Sequence, residues 1–238
     1  MELTSAGHSF LAPARRIMRA SNALESTAMS GELRGRLSIQ AGPGLAVGPI
    51  AELIAKFKRQ APRVFVRVDT LESRASAVIA LSEGVTDLAV CHLPLKAAPD
   101  IETIELGSHE PWILFPPGFD APDGPVDLAA LPNVPLIVST GGVEVDMIRA
   151  ELAASDDLRR PIVIVEQREA RLAMVAAGIG ATFTERAIAN DAIVTGAVAR
   201  PLTPQLTLNY GLAFSAELSA PAEKFVELAR ERALSTAC

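Results

Sequence analysis

Aromatic residues are scarce in this chain: they make up 4% of it, with one Trp, one Tyr and eight Phe. Stacking platforms for bases or sugars are therefore few, and Ala, Val, Leu and Ile have to supply the core. Cysteine is scarcer still. Two residues, Cys91 and Cys238, exclude a disulfide framework. Cys91 lies in the apolar run Leu88-Ala89-Val90-Cys91 and reads as a buried small hydrophobe, with a redox pair to Cys238 as the alternative. A basic surplus is missing: 22 Lys and Arg face 28 Asp and Glu, a formal net charge of −6. That argues against nonspecific nucleic-acid binding by the body of the chain. The N-terminal end differs, with Arg15, Arg16, Arg19, Arg34 and Arg36 against Glu2, Glu25 and Glu32, and a solvated helix accounts for it.

Long apolar runs are also lacking, so no segment is expected to span a bilayer and no membrane partner is expected. The opening MELTSAGHSF has neither the basic region nor the apolar core of a signal peptide, which makes a cytoplasmic location the expectation. His8, His92 and His109 have no ligand spacing, so neither a metal nor another cofactor is expected. No Ser-His-Asp order, paired-carboxylate motif or phosphate-binding loop is present, and the chain is not expected to be an enzyme.

What is there is an alternation of strands and helices. At 238 residues and 49% hydrophobic, the chain can bury a sizeable core as one large domain or two small lobes. Gly31 to Lys58 reads as polar joint, short strand, glycine-rich loop and amphipathic helix. Leu37 and Ile39 alternate with polar neighbours, Gly42-Pro43-Gly44 breaks the pattern, and Ile50, Leu53, Ile54 and Phe57 recur at helical spacing. A glycine loop that exposes backbone N–H groups ahead of a helix suits an anion or polar ligand.

The pattern predicts a helix over 8–29, with Leu3, Phe10, Ile17 and Leu24 seven apart. That seam serves either a partner helix or packing within its own domain. Strand 36–40, helix 45–60, strand 64–68, helix 72–83 and strand 87–91 follow, an order that implies a parallel sheet covered on both faces. Strands at 101–106 and 112–115 precede a Pro/Gly/Asp loop over 116–125. The cycle then restarts: strand 136–138, polar loop Ser139-Thr140-Gly141-Gly142, helix 143–154, strand 162–165, helix 168–177 and strand 179–183. Strands at 198–202 and 206–210 and a helix over 220–234 complete it.

Two strand–polar loop–helix openings, at 36–60 and 136–154, suggest two lobes with ligand groups at the strand ends. Crossings between lobes fall near 107–112 and 201–207, and the last helix returns to the first lobe.

Several segments in this order resemble the LysR-type transcriptional regulators over essentially the whole chain. Leu3-Thr4-Ser5-Ala6-Gly7 with Ala14-Arg15-Arg16-Ile17 is similar to the end of that family's winged helix and its linker helix. Gly35-Arg36-Leu37-Ser38-Ile39 resembles the entry into its effector domain, and Phe57 with Ala61-Pro62 and Val64 fits the step that follows. Gly84-Val85-Thr86-Asp87-Leu88-Ala89-Val90, Asp127-Leu128 with Leu131-Pro132, Val175 to Ala181, and Leu218 to Ala222 with Phe225 continue the match. Phe183-Thr184 stands where the family has Leu-Pro, and Ala213 to Ala216 stands where basic residues are common.

The resemblance implies an α/β, two-lobed, periplasmic-binding-protein-like fold, two parallel-sheet subdomains with two crossovers, preceded by a linker helix. It places a linker and dimerisation helix at 1–30, lobe I at 31–110 and 207–238, and lobe II at 111–206. It implies an effector-sensing regulatory domain that binds a small, anionic metabolite between its lobes and modulates a DNA-bound homo-dimer or tetramer. DNA contact belongs to a winged helix-turn-helix absent from this chain. The alternative is a stand-alone cytoplasmic solute-binding protein of the same two-lobed type.

Carried over by position, the ligand-binding candidates are Gly42, Pro43, Gly44, Cys91 and His92 in the first lobe. In the second they are Ser139, Thr140, Gly141, Gly142, Gln167 and Thr182. Each hydroxyl has an N-cap role as its alternative, and His92 a structural one. The acidic body and the missing reading helix lead to one expectation. In a gel-shift assay this chain by itself gives no salt-sensitive, sequence-specific retention of operator DNA.

Overall fold

The structure, a computed structural model, describes residues 32–42, 44–46, 49–95, 100–139, 163–165 and 167–236, with Thr4, Gly7, Phe10, Pro13 and Ala14 before them. Gly7, Phe10, Pro13 and Ala14 are helical; the rest of the expected linker helix, the loop Thr140-Gly141-Gly142 and the expected helix 143–154 lie outside the described residues. The chain divides into two compact units, Met1–Gly107 with Asn209–Cys238, and Ser108–Leu208. The two-lobed α/β organisation is thus present, with the chain passing between units at two points.

In the first unit β1 (Gly35–Ala41), α1 (Pro49–Gln60), β2 (Val64–Thr70), α2 (Arg74–Ser82) and β3 (Leu88–His92) follow one another. β4 (Ile101–His109) leads out, and β11 (Leu208–Ser215) and α5 (Ala220–Thr236) return. The sheet order is β2-β1-β3-β11-β4. β1 runs parallel to β2 and β3, whereas β11 is antiparallel to β3. The sheet is therefore mixed rather than purely parallel, because β11 enters from the other unit without a crossover helix to reverse it.

Alternation sorts the side chains of this sheet into two cores. Leu37, Ile39, Leu88 and Val90 face α1 and α5, where Phe57 and Phe225 meet edge to face with ring centroids 5.5 Å apart. Ala89, Cys91 and Ala213 face Ala77 and Leu81 of α2. Pro49 opens α1 at the first helical position, where its missing N–H costs no hydrogen bond; the helix thus starts later than the expected residue 45.

Coverage of the second face is incomplete, contrary to the expectation of a sheet buried on both sides. At the β1–β2 corner Arg36, Phe65 and Arg67 stay exposed, and the Arg36 guanidinium lies 5.8 Å from the Phe65 ring centroid.

The "GxxDxA" segment acts as a joint. Gly84 adopts φ +67°, a left-handed conformation that ends the α2 turn. Asp87 then bonds β1 twice over: its carboxylate accepts the Ser38 N–H at 2.8 Å, and its own N–H donates to the Ser38 carbonyl at 3.1 Å. The Thr86 hydroxyl reaches the same Ser38 carbonyl at 3.0 Å.

The second unit contains β5 (Pro111–Phe115), β6 (Val126–Asp127), a 3-10 turn Leu128–Ala130, β7 (Ile137–Val138) and β8 (Val163–Ile164). α3 (Arg168–Ala176), β9 (Thr182–Glu185), α4 (Arg186–Ala192), a 3-10 turn Ile193–Thr195 and β10 (Val198–Thr203) complete it. One sheet has the order β6-β10-β5-β9, with antiparallel pairing of β5 to both β10 and β9. β7 and β8 form a parallel pair, joined to β9 through the Leu136–Ala181 bridge.

Further elements differ from the sequence expectation. The strand expected at 179–183 starts at Thr182, because Ile179 and Gly180 belong to the approach; a Cβ on Gly180 would run into the Pro135 carbonyl oxygen. β11 extends to Ser215 through Gly211, where a Cβ would strike the Ile104 carbonyl oxygen. α4 carries no sequence expectation; it is short and its N-cap Glu185 makes no side-chain capping bond. No helix among the described residues is long and apolar enough to cross a membrane.

Two outcomes follow from this packing. Gly180→Ala is expected to cost about 2 kcal/mol or more in urea unfolding, since the obstacle is backbone that cannot rotate away. Burial pushes the Cys91 thiol up to about 11, with Arg74 opposing. The stability from burying that neutral thiol is complete below its unfolded value near 9 and is lost as pH rises through about 11. At pH 8, peptide mapping should find Cys91 unmodified by iodoacetamide in the folded chain and modified in guanidinium.

Candidate functional site

Each unit gathers the carboxyl ends of parallel strands at one edge, and helices start from that edge. In the first unit Ala41 pairs with both Thr70 and Val90, so β1 and β2 end level beside β3, which runs on to His92. The Leu71 N–H donates to the Ala41 carbonyl and the Gly42 N–H to the Val90 carbonyl, both at 2.9 Å. Gly42 therefore directs its amide into the sheet rather than toward a ligand, and the glycine loop offers fewer N–H groups than its composition suggests. Gly42 then accepts from Leu45 at 2.8 Å, closing a turn in which Gly44 is half-buried. Pro43 lies outside the described residues.

Cys91 and His92 occupy the end of β3, opposite Gly211 and Tyr210. The Cys91 side chain belongs to the core beneath α2 and is neutral, so it supplies neither a thiolate nor a strong acceptor. His92 is half-buried at the strand's last position. The start of α2 closes this edge with a capping box: the Ser76 N–H donates to the Ser73 hydroxyl oxygen at 3.1 Å and the Ser73 N–H to that of Ser76 at 2.9 Å. Arg74 follows at the first helical position and donates to the Pro94 carbonyl at 3.3 Å. A cation there opposes the helix dipole, and the two positive ends together favour an anion nearby.

In the second unit the level is set by pairing. Leu136 pairs with Ala181, and counting along the parallel strands brings Ser139 level with Thr184, which in turn faces Trp112 across β9–β5. These three residues share the sheet face of Ile137, Thr182 and Leu114, two positions nearer the strand ends. Ser139, Thr182, Thr184 and Glu185 are the buried polar residues of this edge, at 8%, 1%, 4% and 9% exposure. The Thr182 hydroxyl donates to the Ile137 carbonyl at 2.8 Å, so it braces the strands first. Gln167 is exposed at the N-cap of α3, where its side chain makes no capping bond.

The structure thus brings Gly42, Gly44, Cys91 and His92 to one edge of the first unit, and Ser139, Gln167 and Thr182 to one edge of the second. Arg74, Trp112 and Thr184 join these edges without a motif signal. Thr184 was legible as the second Thr of Thr182-Phe183-Thr184, which alternates around a core Phe, and as part of the Phe183-Thr184 departure from the family's Leu-Pro. Among the described residues no group of three or more His, Cys, Asp or Glu is placed to hold a metal ion.

Solved structures share this architecture. Full-length OxyR from Pseudomonas aeruginosa, in a cysteine-substituted form, superposes with a TM-score of 0.71 at 20% identity, covering 98% of this chain and 76% of that one. The effector-binding domain of QuiR in complex with shikimate gives 0.70 at 16% identity, covering 85% and 98%. Full-length CbnR complexed with its target DNA gives 0.69 at 20% identity, covering 98% and 82%. At these identities the likeness establishes the fold. No curated protein matches the sequence. The family model described as the LysR substrate binding domain matches residues 30–234, and the chain belongs to that family.

Proposed function

We propose that this chain is the effector-sensing part of a cytoplasmic transcription regulator. It binds a small anionic metabolite with strand-end groups drawn from each unit and thereby adjusts a DNA-bound homo-dimer or tetramer. The observation that carries the reading is the family match over 30–234, together with the buried polar residues Ser139, Thr182, Thr184 and Glu185 at the strand ends of the second unit. Arg74 at the start of α2 supplies the positive charge that favours an anion. His92, Gly44, Ser139, Thr182 and Gln167 are the proposed contacts, with Cys91 and Gly42 shaping the floor. Pro43, Thr140, Gly141 and Gly142 stay in the proposal from the sequence alone, since they lie outside the described residues.

Two solved relatives support the class of ligand and of partner. The QuiR domain holds shikimate, a ring bearing a carboxylate and hydroxyls, and CbnR is held on its target DNA. Hydroxyl and cationic donors suit a hydroxy acid of this chemistry.

The experiment is a thermal-shift screen with acetate, benzoate, succinate, citrate and shikimate. An acid present at about 100 times its dissociation constant stabilises the fold by about 2.7 kcal/mol, a rise of roughly 5–10 °C for a chain of this size. Arg74→Gln is expected to reduce that rise while leaving the unliganded melting temperature within about 2 °C. A panel in which no acid raises the melting temperature overturns the reading.

A further inference from the structure

Trp112 is the single tryptophan of the chain, and its indole Nε1 is buried without a hydrogen-bond partner among the described residues. An indole N–H shut away from water ordinarily finds an acceptor, because leaving it unpaired forfeits its hydration with nothing in exchange. The ring borders the core of Leu114, Ile137 and Val175, beside Leu172 and Met174 of α3 and Ala192 of α4. A phenylalanine would supply much of that apolar contact. The nitrogen therefore needs a separate explanation.

Its position offers one. Trp112 faces Thr184 in the β5–β9 register, and Ser139 falls at the same level through the Leu136–Ala181 bridge. Three adjacent strands thus place Ser139, Thr184 and Trp112 at one level, on one sheet face, at the strand-end edge of the second unit. The Arg186 guanidinium lies 5.4 Å from the centroid of the Trp112 ring and adds positive charge beside the donor.

We propose that the Trp112 N–H is a recognition donor for a carboxylate oxygen of the effector, in line with Ser139 and Thr184. The assignment rests on the effector-sensing function proposed above and adds to it the group that selects the acid in the second unit. Ligands that place an anionic oxygen at this level gain a hydrogen bond whose donor has no competing partner among the described residues. Ligands with an apolar group there gain no such bond and bind more weakly than the acid.

The test uses the full chain labelled with 15N-tryptophan, which gives one indole cross-peak because there is one tryptophan. Acetate, benzoate, succinate, citrate and shikimate are titrated in turn, with melting temperature read in parallel. The expected result is that any acid that raises the melting temperature also shifts the indole proton. Trp112→Phe is expected to bind that acid about ten-fold more weakly. Its unliganded melting temperature should equal or exceed that of the parent, since an unpaired donor has been removed; a purely structural role would lower it.

An acid that raises the melting temperature but leaves the indole peak unmoved at saturation overturns the Trp112 assignment alone. So does Trp112→Phe binding within two-fold of the parent. A panel in which no acid raises the melting temperature overturns the effector reading, and the assignment falls with it. The indole peak is read on the unsubstituted chain, so the test stands even if Trp112→Phe fails to fold.

Discussion

The reciprocal hydrogen bonds between Ser38 and Asp87 fix the level of β3 against β1 in the first unit. A parallel strand has no hairpin to set its register, so some local device must do it. Here a left-handed Gly84 ends the helix, and a carboxylate takes the Ser38 amide just before the ladder begins at Ile39–Leu88. Once that register is set, Ala41 falls beside Val90, Gly42 bonds back to β3, and the strand ends line up as one edge. A one-residue slip would turn Cys91 and Ala89 toward the α1 side and put Leu88 and Val90 under α2, where the neighbours are Ala77 and Leu81.

The second unit reaches a similar edge by steric means. Gly180 passes directly beneath the Pro135 carbonyl, close enough that the Ala181 N–H bonds that same oxygen at 2.8 Å. The Ile137 N–H then donates to the Ala181 carbonyl, and the Thr182 hydroxyl returns a bond to Ile137. This close approach puts Ser139, Thr184 and Trp112 in register. A motif glycine in one unit and a motif aspartate in the other thus perform the same task of setting the strand-end level.

Much of the fold is legible in the sequence because its signals are local. The 3.6-residue spacing of Ile50, Leu53, Ile54 and Phe57 and the strand alternation of Leu37 and Ile39 follow from elements that bury one side. The site was less legible. Ser139 and Thr182 stood out as hydroxyls beside loops and glycines, and both reach the buried edge. Gly42 stood out for its supposed free amide, which the structure commits to Val90. Hydrogen bonds of this kind join residues distant in sequence, and composition carries no trace of them.

The sequence by itself determined the alternation of strands and helices, the family, and the neutral, apolar character of the core around Cys91, since these depend on short-range periodicity and on residue type. Tertiary structure alone decided the antiparallel entry of β11, the uncovered corner at Arg36 and Phe65, and the row of Ser139, Thr184 and Trp112. Each of these depends on pairings between strands far apart along the chain. The opening glycine loop shows both sides of the division: its residues announced a turn before a helix, but only the register of β3 determined which way the Gly42 amide points.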